Sequence, residues 1–395
     1  MHIIYVTPEF VTETAGGGLA TYLSNISRIM AGHGHRITVV TLSSDHDDKM
    51  IWEDGIIVER VKKDSRIAIV PLQILKQSFD LHRRVKRITS AQKADIVQYA
   101  SYRAVGFFHV QRTPSLVRIS SDPVCWRTMR LYDFSPDDLR KTSLSDKIEY
   151  AAERRIGNVL GPGVATGARI AERIHIKPVI VESPFYPPVE EDETLFNERL
   201  KGKKYFLAHS SMSCFKGTHT IAESIPMICE ADPDIYFVFA GTDLGIDYKS
   251  GQHFSAKEYI ERCAGKYVDR VIILGAVQRK QLVSIIRNAY GCLMPSRLDN
   301  MPNTCIEAMS LGRIVIGTTG AGFEQLIQDG VNGFLMDIDS PASLAKAAAR
   351  MEAMSETERD AVRTAAMKTT ERFNPENVYT NMYSYYTSVI ESFKK

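Results

Sequence analysis

One pattern occurs twice in this chain and limits its fold more than any other feature. It is an apolar strand, a glycine-bearing loop and an amphipathic helix, with further short strands between helices. In the first half HIIYV leads into TAGGG, then the helical pattern LATYLSNISRIMAGHG, then the strand RITVVT. ADIVQYA and SLVRIS read as further strands, GPGVATG as a glycine-rich turn, and KPVIVES as the last strand of that half. In the second half YFLAHSS leads into a loop with Lys216 and Gly217, and then the helix THTIAESIPMICEA. The strands IYFVFAG and RVIILGA, the helix RKQLVSIIRNA and the strand GCLMPS follow. Units of this β-loop-α-β kind build parallel sheets with helices on both faces. The stretch SPFYPPVEEDETLFNERLKGKK, rich in proline and charge, separates the halves and predicts a domain boundary. The expectation is an α/β protein of two doubly wound domains, residues 1–190 and 200–374. Ligand would bind in a cleft where the carboxyl ends of the strands face each other.

Composition narrows the class of partner. The chain has 395 residues, 44% of them hydrophobic and 24% charged, which supplies ample core for two such domains. A net charge of +2 gives no ground for a nucleic-acid partner. The charge is uneven: residues 1–190 hold 26 Lys and Arg against 21 Asp and Glu, leaving 23 against 26 in the rest. The first half is thus the better candidate for an acidic surface. Cys125, Cys214, Cys229, Cys263, Cys292 and Cys305 form no CxxC pair and do not cluster with histidine, as expected of reduced cysteines in a cytosolic protein. No signal peptide and no apolar run near the ~20 residues of a membrane span is evident.

The stretch SRLDNMPNTCIEAMSLGRIVIGTTGAGFEQLIQDG carries the chemistry. A buried strand enters a loop, and the helix NTCIEAMSL follows with Pro302 in its first turn, Asn300 or Met301 near the cap, and Gly312 at its end. The free N–H groups at that helix start form an anion site suited to phosphate. Asp299 lies just before it and Glu307 one turn inside. Two carboxylates beside a phosphate suit the hydroxyls that flank it, as in a nucleotide-sugar with ribose on one side and a hexose on the other. A helix cap and a surface ion pair would use the same two residues.

From that block the resemblance is to retaining glycosyltransferases of the family-4 type, which have the GT-B fold. PSRLDNMPNTCIEAMSLGRIVIGTTGAGFEQLIQDGVNGFL is similar to their donor-site block. GGGLATYLSNISRIMAGHGHRITVVT and FKGTHTIAESIPMICEADPDIYFVFAG extend the resemblance over almost the whole chain. It implies Asp299 on the donor sugar, Glu307 on the ribose, backbone N–H groups around Met301, Asn303 and Thr304 on sugar and phosphate, and Glu324 in the loop beyond. The family has Glu at the first carboxylate; Asp299 is one methylene shorter, which bears on donor specificity. Lys216 and Gly217 suit the diphosphate, but the Arg usually five residues earlier is Ser211 here, with Arg118 and Arg297 as conceivable substitutes. Gly16, Gly17 and Gly18 lack the GxGxxG spacing of a dinucleotide site and by resemblance touch the diphosphate and line the acceptor site.

Arg118, Ser121 and Trp126 form a polar and aromatic mixture suited to a carbohydrate acceptor. His109 and His209 read as structural. The helix with Lys76, Arg83, Arg84, Lys86 and Arg87 suits either solvent or an anionic membrane surface. The resemblance further implies that a C-terminal helix, 375–395, packs back on the first domain. The implied activity is transfer of a sugar from a nucleoside-diphosphate sugar to an acceptor hydroxyl with retention, without cofactor or metal. The acceptor would be a glycan or lipid-linked glycan, in a cytoplasmic protein peripheral to the inner face of the plasma membrane. A sugar-nucleotide epimerase of the same fold and a non-catalytic nucleotide-sugar-binding scaffold are the alternatives.

Overall fold

The computed structural model describes residues 1–14, 17–64 and 66–394. The chain forms two compact units. The first comprises Met1–Val124, Arg140–Pro184 and Phe373–Lys395; the second comprises Cys125–Leu139 and Phe185–Arg372.

The first unit is built on an eight-stranded sheet. Its strands are β1 (His2–Thr7), β2 (Arg36–Ser43), β3 (Lys49–Ile51), β4 (Ile57–Lys62), β5 (Ile96–Ala100), β6 (Ser115–Arg118), β7 (Val159–Gly161) and β8 (Val179–Ile180). Their order is β3-β4-β2-β1-β5-β6-β7-β8, and every pairing is parallel except the edge pair β3–β4. β1 and β5 are buried throughout, as continuous apolar runs covered on both faces must be. The chain turns in opposite directions on either side of β1, and the glycine loop leaves β1 at that switch point. The C-terminal helix Pro375–Lys394 completes this unit. Its Val378, Met382, Tyr386 and Val389 enter the core beside Ile3, Tyr5 and Ile96.

The second unit repeats the plan with six parallel strands. They are β9 (Lys204–Ala208), β11 (Ile235–Ala240), β14 (Val271–Gly275), β15 (Gly291–Met294), β16 (Val315–Thr318) and β17 (Phe334–Met336), in the order β14-β11-β9-β15-β16-β17. A small separate sheet joins β10 (Met212–Ser213), β12 (Asp243–Asp247) and β13 (His253–Phe254). β9 is the switch strand here, and the loop with Lys216 lies beyond its carboxyl end. The helix Thr218–Ala231 then packs with Ala256–Ala264 and Pro341–Glu352 over a core that includes Phe206, Phe237, Phe239 and Leu293.

The strands and helices follow the sequence pattern within a few residues. The unit boundary at Pro184 falls inside the proline-rich break. One feature departs from simple succession: Cys125–Leu139, numbered within the first half, packs with the second unit. Five of the six cysteines are buried. No helix among the described residues is long and apolar enough to cross a membrane.

Candidate active site

Three loops at the carboxyl end of the second sheet meet around Lys216, and the backbone fixes their approach. Gly217 caps the helix Thr218–Ala231 with φ 74°, and a Cβ there would lie 1.9 Å from the Pro295 carbonyl oxygen. Gly241 leaves equally little room: a Cβ would lie 1.9 Å from the Ser210 oxygen. The Arg297 N–H donates to the Phe215 carbonyl at 3.0 Å, and the Asp299 N–H to the Ala321 carbonyl at 2.7 Å. Loops 210–217, 295–301 and 319–324 are therefore one constellation.

At its centre Lys216 Nζ donates to Asp299 Oδ2 at 2.6 Å, the two side chains being 25% and 13% exposed. This pair uses one of three ammonium donors and one of two carboxylate oxygens, so both groups keep capacity for a ligand. The helix Asn303–Ser310 begins beside Asp299, capped by Pro302 with no side-chain bond to its N-terminus. The Asn303 N–H turns back to the Met301 carbonyl at 2.8 Å, and the Cys305 and Ile306 N–H groups bond Pro302. Met301 is buried, Asn303 exposed and Thr304 half-buried. Glu307 stands one turn in. Burial raises its carboxyl above the ordinary range, opposed by Arg279, whose Nε is 3.7 Å away. A half-buried carboxylate opposed by one exposed cation is suited to accept bonds from a diol.

Glu324 lies in the third of these loops. Its carboxylate accepts the N–H groups of Gly320 and, at 3.2 Å, Gly322, clasping its own glycine loop. Ser211 is half-buried between β9 and β10. Arg297, considered above as a substitute for the missing Arg, is 2% exposed and fully engaged. It donates to Asp339 Oδ1 at 2.7 Å and to the carbonyls of Met129, Leu131 and Tyr132 at 2.6–3.0 Å. It cannot also serve a diphosphate. Arg118, in the first unit, is 5% exposed; it lies over the Tyr22 ring at 3.4 Å and donates to Ser183 Oγ at 2.7 Å. Ser121 is half-buried in the same unit. Trp126 belongs to the second unit and meets the Phe215 ring edge-on at 4.9 Å.

Gly17 and Gly18 begin the helix Gly18–Gly32, with the Glu9 carboxylate 3.6 Å from where a Gly17 Cβ would stand. Gly16 lies outside the described residues. His209 was read as structural and is buried, its Nε2 bonding the Thr304 carbonyl at 3.2 Å; burial pushes its pKa down to about 4. It thereby braces the start of the helix Asn303–Ser310, a role that position alone could not reveal. Among the described residues no group of three or more His, Cys, Asp or Glu is placed to hold a metal ion.

The fold and this constellation define a class. The architecture is GT-B, two doubly wound α/β units each with its own parallel sheet. Residues 203–353 match the model of the family described as Glycosyl transferases group 1. The chain is 26% identical over 184 residues to a D-inositol 3-phosphate glycosyltransferase of Xylanimonas cellulosilytica, 44% of this chain and 42% of that one. The alignments with curated relatives span between 35% and 42% of those relatives' lengths. Among solved structures, a sucrose-phosphate synthase from Thermosynechococcus elongatus superposes with TM-score 0.79 at 16% identity, covering 99% of this chain and all of that one. The Anabaena protein HepE, solved with UDP, superposes with TM-score 0.69 at 16% identity, covering 98% of this chain and 100% of that one.

Proposed function

We propose that the chain is a retaining glycosyltransferase of the family-4 type, moving a sugar from a nucleoside-diphosphate sugar to an acceptor hydroxyl without a metal ion. The observation that carries this is the Lys216–Asp299 pair set directly before the start of the helix Asn303–Ser310, with Glu307 one turn inside. The diphosphate would lie between Lys216 and the start of the helix Asn303–Ser310 at Thr304, with Gly217 permitting backbone approach. Glu307 would accept from the ribose. Asp299, through its second oxygen, would accept from the transferred sugar. Glu324 would act through the glycine loop that it clasps. Gly17, Gly18, Ser121 and the packed Arg118 belong to the first unit.

The reaction then breaks the bond from C1 to the diphosphate and forms the bond from C1 to the acceptor oxygen on the same face. The acceptor proton passes to the departing phosphate oxygen. The chain needs no nucleophile of its own; it contributes position and fixed charge. UDP is the first nucleotide to test, because a protein of this fold was solved with it.

The acceptor is proposed to be a glycan or lipid-linked glycan of a polysaccharide pathway. On the helix Val70–Ala91, Lys76, Arg84 and Arg87 face Asp80, Asp47 and Glu59. Exposed Leu72, Phe79, Arg83 and Lys86 recur at helical spacing along one stripe, which suits an anionic membrane surface. Co-sedimentation with anionic vesicles that is lost in Arg83→Glu/Lys86→Glu supports docking; equal pelleting of both proteins refutes it.

A thermal-shift panel with UDP, GDP, ADP, CMP and dTDP, with and without EDTA, tests the donor site. One diphosphate should stabilise the protein and do so unchanged in EDTA. No shift with any of them, in folded protein, refutes the reading, and a nucleotide shift without any turnover favours the non-catalytic nucleotide-sugar-binding alternative.

A further inference from the structure

We propose that Trp126 is a stacking platform for a pyranose ring at the sugar end of this site, and that Cys125–Leu139 is a strap that carries it there. The proposal rests on the glycosyltransferase reading and adds the side chain that holds the sugar face. Trp126 is 54% exposed, yet its edge is braced by the Phe215 ring at 4.9 Å. Phe215 precedes Lys216, and Lys216 Nζ reaches Asp299 at 2.6 Å. Lys216 Nζ also lies 6.0 Å from the Phe215 ring centroid, so Trp126 connects through Phe215 and Lys216 to the carboxylate proposed to bind sugar. The ribose carboxylate Glu307, with Arg279, marks the other end. A rigid indole with an open face matches the C–H face of a hexopyranose, whose hydroxyls project sideways toward groups such as Asp299.

The strap is fastened more firmly than a passing loop requires. Arg297 holds the Met129, Leu131 and Tyr132 carbonyls from within the core. The Tyr132 N–H donates to the Asp247 carbonyl at 2.7 Å, and its hydroxyl to Glu223 at 2.9 Å. The Lys249 N–H donates to Asp133 at 2.9 Å, and Lys249 Nζ pairs with Asp138 at 2.6 Å. The Arg297 backbone N–H meanwhile holds Phe215. One residue thus fixes both the strap and the ring on which Trp126 rests, which makes Arg297 a positioning residue for the platform.

The chain has two tryptophans, and Trp52 is packed against Phe10, so Trp52→Phe leaves Trp126 as the reporter. The experiment titrates the full-length Trp52→Phe protein with UDP, then with methyl glucoside, galactoside and mannoside in the presence of UDP, with sorbitol as the open-chain control. A saturable change in Trp126 emission with at least one pyranoside and none with sorbitol supports the proposal. No pyranoside response, or a response to UDP alone, overturns it, the latter by making the ring a base platform. In a transfer assay Trp126→Ala should raise the KM for the nucleotide-sugar donor about tenfold, and Trp126→Phe should recover part of that loss. An unchanged KM in Trp126→Ala overturns the role. Arg297→Lys should loosen Trp126, seen as lower emission anisotropy, while the UDP thermal shift persists; unchanged anisotropy removes the positioning role. A pyranoside response in protein that shows no shift with any nucleotide would leave the platform standing and refute the donor reading instead.

Discussion

At the scale of single residues, the most consequential finding is that Lys216 and Asp299 already hold one another. The sequence identified both, but their separation of 83 positions concealed the contact. A loop lysine facing a diphosphate alone is a point charge with many rotamers; one tied to Asp299 is oriented before substrate arrives. We expect Lys216→Ala to lower kcat/KM by about 10²–10³, the range for removing one fixed donor at a developing charge, with the melting temperature nearly unchanged. A turnover equal to wild type would remove Lys216 from the mechanism. A different residue governs pH behaviour. Glu149 is buried, and burial pushes its pKa up to about 8, with Asp146 and Asp122 adding to the rise and the Arg103 N–H, 3.1 Å away, opposing it. Neighbouring Glu153 is displaced in the same direction, and neither of its carboxylate oxygens has a hydrogen-bond partner. The folded state keeps these protons to higher pH than the unfolded chain does. Stability should therefore fall as pH rises from the ordinary carboxylate range through about 8. Glu149→Gln, which still accepts from Arg103, should flatten that slope in urea denaturation at pH 6, 7 and 8.

At the scale of elements, the repeated strand–loop–helix pattern was legible because period-2 and period-3.6 hydrophobicity is local. The helix Thr218–Ala231 coincides with the pattern, and β1 and β11 agree to within a residue. What stayed hidden depends on residues far apart in the chain. The strap Cys125–Leu139 has no periodicity that assigns it to the second unit; buried Arg297, 165 positions beyond Tyr132, does that. The bond of Glu324 to its glycine loop depends on the left-handed turns at Gly320 and Gly322. Two left-handed turn glycines are testable as elements. Gly202 and Gly217 both have φ near +75°, but a Cβ meets nothing at Gly202 and the Pro295 carbonyl at Gly217. Gly202→Ala should cost about 1 kcal/mol for backbone conformation alone. Gly217→Ala adds a backbone clash and should cost at least ~3 kcal/mol or prevent folding of the second unit. Equal losses in chemical denaturation would mean that the close approach to Pro295 carries no weight.

At the scale of the whole molecule, the last helix closes the core of the first unit. Tyr386 is the clearest tie: its hydroxyl donates to Gln98 Oε1 at 2.7 Å and lies 3.3 Å from the Tyr5 hydroxyl, all within the core. A phenylalanine there keeps the ring and leaves the buried Gln98 oxygen without that donor, at a cost of ~1–3 kcal/mol. For a unit of this size that is a fall of roughly 2–4 °C per kcal/mol in its melting temperature. The proposed donor residues of highest specificity lie instead in the second unit, so nucleotide should act on the other half of the melt. Ligand at about 100 times its dissociation constant adds ~2.7 kcal/mol to whatever binds it. Calorimetry of wild type and Tyr386→Phe, each with and without UDP, separates the two effects. If the units unfold independently, two transitions are expected, one lowered by the substitution and the other raised by the nucleotide. A single transition that moves with both changes would show the units to be one cooperative body. Loss at Tyr386 would then weaken the donor site as well, by lowering the population of the only state that can bind UDP.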